Sequence, residues 1–430
     1  MRAAFYEKEI TPPIGSDIPG YYKNRYTVGV KDKLYAKAAV FEDGSGNIAA
    51  LLVLDAVCVT RAFCEAIKTR AEAFTGIPTK KIAVIANHTH YGIPGGDLRS
   101  ERDEEFMSLM ERLCADTITL AWQRLEPCTL AYGIGQESTT PFNRDYILQD
   151  GAIVTNPGKF RDQILRPYGD IDPDLPVLTV KNTQDGVMGA IFTFALHEDT
   201  TGGLEYSGDY ASEISYALKE RYGQQAVSVY LPGYSGDINH VDQLGGIRRT
   251  HREIGRIIAG ELLRVMEEAS VPVEGKALRM EYRELPMERR RATSEQIAYA
   301  RWVAEDRKAR KDKYDMTGQN APLLLEYEEA VRDGGNRVEV IIQILKLGDV
   351  WIFITPFEVY HKYGNDIKAG FPGEKWLISE LANMESSYIP VPELFDTAAY
   401  PAQLCYGSWM EVSAGQKLVE GVLRLAEEMK

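Results

Sequence analysis

The chain has 430 residues and a formal net charge of −14, a length that suits one large α/β domain or about two to three average domains. Its acidic balance excludes a general binder of nucleic acid or of anionic membranes, because both surfaces would repel it. The five cysteines form no Cys-x-x-Cys pair, so neither a disulfide framework nor a thiolate zinc site is expected.

Hydrophobic patterning predicts strands and helices that alternate along the chain. The predicted strands lie at residues 38–41, 48–53, 82–86, 177–180, 189–195, 226–231, 338–345 and 350–354. The predicted helices lie at residues 61–74, 101–123, 210–221 and 250–268. This alternation predicts an α/β fold of mixed β-sheets flanked by helices, formed as a single domain over residues 1–430.

Residues 285–336 differ from the rest of the chain in composition. They are polar and carry two basic runs, Arg289 to Arg291 and residues 307–313. Such runs are typical of a solvated helix face, and a partner-binding surface is the alternative. We expect a helical insertion between two strands of a sheet.

The N-terminal residues do not resemble a targeting segment. They meet charge too early to hold the apolar core of a secretion signal, and no apolar run approaches the ~18 residues of a membrane-spanning helix. We therefore expect a cytoplasmic protein without stable membrane association.

A predicted strand at residues 82–86 leads into His88 and His90, which are followed by a glycine-rich loop. Side chains at positions i and i+2 of an extended segment project to the same face, so both imidazoles can reach one metal ion. The alternative is a pair of hydrogen-bonded surface imidazoles, because the spacing alone is a weak signal. The sequence predicts a metal site here.

Polar side chains also follow other predicted strands. His197 comes after the strand at 189–195 and Glu358 after the strand at 350–354, while the loop after 226–231 contains Asp237 and His240. Ligands of open α/β sheets bind beyond the carboxyl ends of the strands, so these side chains are candidates for one site. Asp237 and His240 offer proton-transfer chemistry. Each carboxylate taken singly has a structural alternative as a helix cap.

Taken together, these residues resemble the N-terminal catalytic region of the neutral ceramidase family. The resemblance extends in family order over nearly the whole chain. The matching pieces are Glu9 to Gly15, His88 to Gly92, Asn143-Arg144, Asp172-Pro173, His197 with Ser207 to Asp209, Gly236 to Asn239, Pro356 to Glu358, Tyr388-Ile389 and Tyr400 to Tyr406.

The resemblance implies a set of roles for these residues. One zinc ion would be bound by His88, His197, Glu358 and Tyr388, with His90 beside it. The catalytic set would be His90, Asp237, Asn239 and Tyr400, with His90 or Asp237 moving the proton. The residues assigned to the substrate are Tyr91, Gly236, His240 and Arg144.

Departures from the family pattern narrow the expected function. Asn239 stands where the family has a serine implicated in catalysis, and Tyr91 also replaces a serine. An amide is no nucleophile, although it can donate a hydrogen bond to an oxyanion. The family's secretion signal and C-terminal immunoglobulin-like domain are not expected here.

We therefore expect a zinc-dependent hydrolase that cleaves an amide or ester of a small soluble substrate by metal-activated water. The alternatives are a glycoside- or lactone-acting enzyme on the same scaffold, or a homologue that binds a metal and a ligand without turnover. No nucleic-acid partner is expected, and homo-oligomerisation stays open.

Overall fold

The computed structural model of the chain describes residues 1–21, 24–95, 104–305 and 317–430. The strands are β1 Arg2–Glu9, β2 Gly29–Val30, β3 Tyr35–Glu42, β4 Ile48–Leu54, β5 Ile82–Ala86, β6 Glu126–Gln136, β7 Phe142–Asn143, β8 Asp145–Leu148, β9 Ile153–Thr155, β10 Ile164–Pro167, β11 Asp174–Asn182, β12 Val187–Phe194, β13 Glu205–Tyr206, β14 Val227–Pro232, β15 Ile238–Asn239, β16 Val271–Pro272, β17 Leu278–Glu288, β18 Arg337–Leu347, β19 Val350–Ile354, β20 Glu358–Val359, β21 Lys375–Ser379 and β22 Tyr388–Ile389. The α-helices are α1 Arg61–Thr75, α2 Glu104–Trp122, α3 Asp209–Tyr222, α4 His251–Arg264, α5 Ser294–Glu305, α6 Thr317–Ala330, α7 His361–Ala369 and α8 Ala414–Glu427. The expected α/β fold with mixed sheets is confirmed.

Three strand–helix–strand units explain why the polar residues meet. β4 pairs parallel with β5 across α1, β12 with β14 across α3, and β19 with β21 across α7. Local signals delimit α1: the Thr60 side chain caps its first turn, and Gly76, at φ 73°, ends it in the left-handed conformation. Parallel strands of one sheet end at the same edge, so the residues that follow them gather there.

The large sheet curls on itself. Its strand order is β14-β12-β11-β6-β1-β3-β4-β5, with β16 added on β6. Although β14 and β3 are far apart in this order, they pack together, and Lys37 Nζ of β3 donates to Ser228 Oγ of β14 at 3.3 Å. The curl brings the end of β5 to the end of β12, where His90 N donates to the Glu198 carbonyl at 3.0 Å.

A second sheet, in the order β17-β18-β19-β21, covers the inner face of the large one. Buried residues of both sheets, including Phe41, Leu51, Ile191, Ile352 and Leu377, form the core between them. Helices α1 and α2 pack outside the β3–β5 part, α3 and α4 outside the β12–β14 part, and α7 and α8 on the far face of the second sheet.

The segment expected to be a helical insertion connects two strands of the second sheet. β17 and β18 pair antiparallel from Leu278 opposite Leu347 to Glu288 opposite Arg337, and α5 and α6 lie between them. The start expected at residue 285 therefore falls inside β17. Buried Ala300, Val303 and Ala321 pack the two helices together. The basic run at 307–313 and the expected helix start at 101–103 lie outside the described residues. In the described ranges, no helix is both long and apolar enough to cross a bilayer.

Candidate metal site and cavity

His88, His90 and His197 meet at the edge where β5 and β12 end. Their exposed fractions are 3%, 9% and 5%. His88 Nε2 lies 3.0 Å from His197 Nε2, and His90 Nε2 lies 3.2 Å from the same atom. The three rings therefore direct one nitrogen each toward a common point.

The backbone fixes the orientation of His88. Its φ of 81° is unusual for a residue other than glycine and turns the chain sharply off β5. His88 Nδ1 lies 2.7 Å from the Val57 carbonyl, which only accepts hydrogen bonds, so Nδ1 carries the proton. The neutral ring then presents the Nε2 lone pair to the cluster, as metal-binding histidines do.

Burial keeps the other two imidazoles neutral. It lowers the pKa of His90 to about 4, and it lowers the pKa of His197 well below its usual range. Neutral imidazoles hold a lone pair available to a cation. The Nδ1 atoms of His90 and His197 find no hydrogen-bond partner in the described part of the chain.

Glu358 completes the donor group. Its Oε2 lies 3.4 Å from His88 Nε2, and Oε1 accepts from Ser386 Oγ at 3.0 Å. Burial favours the neutral acid, but the neighbouring His88, Tyr388 and Arg144 outweigh it and lower the pKa of Glu358 to about 2. Oε2 is buried without a hydrogen-bond partner among the described residues, so an ionised oxygen faces the histidines.

These donors fit a metal ion. Zinc–nitrogen bonds of 2.0–2.1 Å in a tetrahedron place ligand atoms about 3.3–3.4 Å apart. The observed separations of 3.0, 3.2 and 3.4 Å are close to that value. The three histidines form a group that could hold a cation. His90, expected beside the metal, instead directs its Nε2 into the donor cluster.

Tyr388 lies next to Glu358 because β20 and β22 pair them directly. Burial raises the pKa of the Tyr388 phenol, and the positive Arg144 opposes this rise. The Arg144 guanidinium carbon lies 4.9 Å from the centre of the Tyr388 ring. The centres of the Tyr388 and Tyr400 rings lie 5.4 Å apart. The Tyr388 phenol therefore lies between a carboxylate and a guanidinium.

The cluster opens into a cavity of about 930 Å³. Five of the expected catalytic or substrate residues line it: His90, Arg144, Asn239, His240 and Tyr400. Asn239 Nδ2 donates to Asn156 Oδ1 at 2.8 Å and its Oδ1 accepts from Val241 N at 3.0 Å. Both ends of this amide are thus engaged, so Asn239 shapes the wall.

Asp237, expected to move a proton, is placed differently. It is not among the described residues that line the cavity. Its carboxylate accepts from His361 N at 2.9 Å, His361 Nδ1 at 2.7 Å and Asn143 Nδ2 at 2.9 Å. With both oxygens occupied by buried donors, Asp237 holds the start of α7 in place.

Gly236 and Tyr91, expected to contact substrate, also lie behind the described cavity wall. A Cβ on Gly236 would come within 2.6 Å of the Glu358 carbonyl oxygen, so glycine permits β20 to approach closely. The Tyr91 hydroxyl donates to Asp199 Oδ1 at 3.3 Å. Both residues position neighbours that do line the cavity.

Sequence reasoning missed several lining residues from distant segments: Tyr21, Arg61, Asn156, Asp199, Arg289, Tyr327 and Trp409. The expectation that the run Arg289 to Arg291 lies on a solvated face is wrong for Arg290. Arg290 donates to the Met410, Ala402 and Ser408 carbonyls at 2.9, 3.0 and 2.9 Å, and burial lowers its pKa to about 10. A run of like charges carries no local signal that one member is buried and another faces a cavity.

The fold is similar to that of the neutral ceramidase from Pseudomonas aeruginosa, with a TM-score of 0.73 and 18% identity over 99% of this chain and 74% of that chain. A ceramidase complexed with C2 gives a TM-score of 0.72 and 17% identity over 99% of this chain and 75% of that chain. No protein-family model matches the chain, and no curated protein matches it in sequence. The expected ceramidase-like fold is confirmed, and at this identity the likeness concerns the fold alone.

Proposed function

We propose that this chain is a metal-dependent hydrolase that cleaves an amide bond of a small soluble substrate. One observation carries the proposal: three buried imidazole nitrogens and the unpartnered Glu358 Oε2 converge within 3.0–3.4 Å of their neighbours at one end of a cavity. That cavity has the size of a small-molecule site. The ceramidase-like fold supports amide chemistry, with an ester as the nearest alternative.

The residues that would hold the metal are His88, His90, His197 and Glu358, with Tyr388 beside them. Nitrogen and carboxylate donors without thiolates suit zinc, which we propose as the ion. When bound, a divalent metal supplies an activated water and polarises a carbonyl.

The chain's own residues prepare the site for a developing oxyanion. Arg144 donates to the Gly236 carbonyl, which holds its guanidinium beside Tyr388. A positive charge and a protonated phenol at the same wall stabilise negative charge on a carbonyl oxygen more strongly in a buried site than in water. Tyr400 packs edge-on against Tyr388 and restricts its ring.

His240 is our candidate for proton transfer in place of Asp237. It lines the cavity, and its buried Nδ1 has no partner among the described residues. Burial lowers the pKa of His240, so the neutral ring can accept a proton near neutral pH.

The test is a turnover screen of zinc-loaded and metal-stripped protein against soluble N-acyl amines, esters, lactones, glycosides and detergent-dispersed ceramide. We expect product only from the loaded protein and fastest from a soluble amide. If ligands raise the melting temperature of the protein but none of them yields product, the protein is instead a homologue that binds a ligand without turnover. Efficient ceramide cleavage would contradict the soluble substrate.

A further inference from the structure

Arg289 is a cation on the cavity wall whose charge no described residue neutralises. It lines the cavity, and its buried Nε has no hydrogen-bond partner in the described ranges. Its guanidinium carbon lies 5.7 Å from the centre of the Trp409 ring. A buried guanidinium N–H without an acceptor costs free energy. A ligand that supplies the acceptor would remove this cost, so the wall favours binding of such a ligand.

The backbone around Arg289 is held on both sides. Arg289 N donates to the Asn336 carbonyl and Arg290 N to the Trp409 carbonyl, both at 2.7 Å. Arg289 also forms a bridge with Met410. The backbone that carries the guanidinium is therefore fixed, so it loses little entropy when the side chain binds a ligand.

Three other charged residues that line the cavity, Arg337, Arg61 and Glu385, have partners. Arg337 pairs with Glu339 at 2.6 Å, and Arg61 lies 3.5 Å from Glu284. Glu385 Oε1 accepts from the Arg61 backbone N–H at 3.3 Å, at the positive start of α1. Arg289 thus contributes one uncompensated positive charge to a cavity that Tyr327, Val331 and Trp409 also line.

We propose that Arg289 binds a carboxylate of the substrate, and that the substrates are N-acyl amino acids. A guanidinium binds a carboxylate with two parallel hydrogen bonds, and one uncompensated charge on an apolar wall matches one carboxylate better than a phosphate dianion. The inference rests on the proposed amide hydrolysis. In that reaction the amide C–N bond breaks, the water oxygen bonds to the carbonyl carbon, and a water proton passes to the departing amine.

Trp409 connects this anchor with the metal donors. Its Nε1 donates to the Ser386 carbonyl at 3.0 Å, and Ser386 Oγ donates to Glu358 Oε1 at 3.0 Å. An anion held at Arg289 therefore lies across one indole ring from the Ser386–Glu358 pair. Because Arg289 and the three histidines line the same cavity, the inference places the scissile amide at the histidines and the carboxylate at Arg289.

The experiment compares N-benzoylglycine with its neutral counterpart N-benzoylglycinamide, and adds N-benzoyl-β-alanine and N-benzoyl-γ-aminobutyrate to vary the distance to the carboxylate. The zinc-loaded full chain is tested as wild type, Arg289→Met and Arg289→Lys, with Arg337→Met as a control on the same wall. Melting temperature and zinc content are measured for each. Calorimetry with the metal-stripped protein measures carboxylate binding independently of turnover.

We expect Arg289→Met to lower kcat/KM for the acids about 10- to 100-fold, as for loss of a charge-assisted hydrogen bond, and to change the neutral amide little. Arg289→Lys should recover part of the loss, and Arg337→Met should leave the preference unchanged. Equal rates for acids and neutral amides in the wild type would overturn the inference while leaving amide hydrolysis intact. Wild type could instead bind the acids without forming product, and Arg289→Met could abolish this binding. That result would support the carboxylate site at Arg289 and contradict the proposed hydrolysis.

Discussion

Glu358 and Tyr388 are directly opposite one another in two short parallel strands, β20 and β22. Glu358 N donates to the Ser387 carbonyl at 3.0 Å, and Tyr360 N to the Ile389 carbonyl at 3.3 Å. Residues directly paired in a sheet project to the same face. This register, rather than proximity in sequence, places a carboxylate and a phenol together beside the histidines.

Replacing a histidine of the cluster should remove the metal. We expect purified wild type to hold about one zinc per chain, and His88→Ala or His197→Ala to lower the zinc content strongly, because each removes a converging nitrogen. Elemental analysis after chelator-free purification measures the zinc content of each protein. The control is His251→Ala, a buried histidine at the start of α4. Full zinc content in the His88→Ala, His197→Ala double variant would contradict the site.

Removing the Tyr388 hydroxyl should affect turnover more than metal content. We expect Tyr388→Phe to lower kcat by about 100-fold or more, as for loss of an oxyanion donor, and to unfold at nearly the same temperature. Steady-state kinetics with elemental analysis separate the two effects. Tyr299→Phe, on the surface of α5 and 38% exposed, is the control. Wild-type kcat in Tyr388→Phe would rule out this role.

Gly236→Ala should disturb the proposed metal site without replacing any of its proposed ligand residues. The added Cβ would lie 2.6 Å from the Glu358 carbonyl oxygen and 2.9 Å from the Val359 carbonyl carbon, so β20 must move. We expect a loss of about 1–3 kcal/mol in the free energy of unfolding and weaker zinc binding. The matched control is Gly260→Ala in α4, where a Cβ meets nothing within 4 Å and should stabilise by about 0.5–1 kcal/mol. Similar effects of the two substitutions would contradict the close approach.

The His361–Asp237 pair should make stability depend on pH. Burial lowers the pKa of His361, but Asp237, with Asp172 and Asp170 nearby, outweighs burial and raises it. The folded state therefore binds this proton more tightly than the unfolded state, whose pKa is about 6.5. The stabilisation is complete below that pH and is lost as pH rises through the folded pKa.

Urea unfolding across pH 5 to 9 measures this contribution as the difference between wild type and His361→Gln. Asp237→Asn should remove the same pH dependence, because it removes the charge that raises the pKa. An unchanged pH profile in both variants would show that the pair does not govern stability.

The positions of His88, His197 and Glu358 at one sheet edge could be predicted from the sequence because their signals are local. A buried strand is recognisable from a short apolar run, and the residue that follows it falls at the edge where ligands bind. His88, His197 and Glu358 each follow such a strand. The helices at 61–74 and 210–221 were predicted within one or two residues for the same reason.

Only the tertiary structure decided which side chains share the cavity. The curl of the large sheet joins two ends that are distant in its strand order, and no local pattern encodes a curl. Asp237 has the composition of a proton carrier, yet the start of α7 occupies its oxygens. Arg289 and Arg290 are neighbours in a basic run, but one lines the cavity and the other is hydrogen-bonded to backbone carbonyls. The carbonyls that hold Arg290 belong to residues more than a hundred positions away, and contacts at that range arise from packing rather than from sequence spacing.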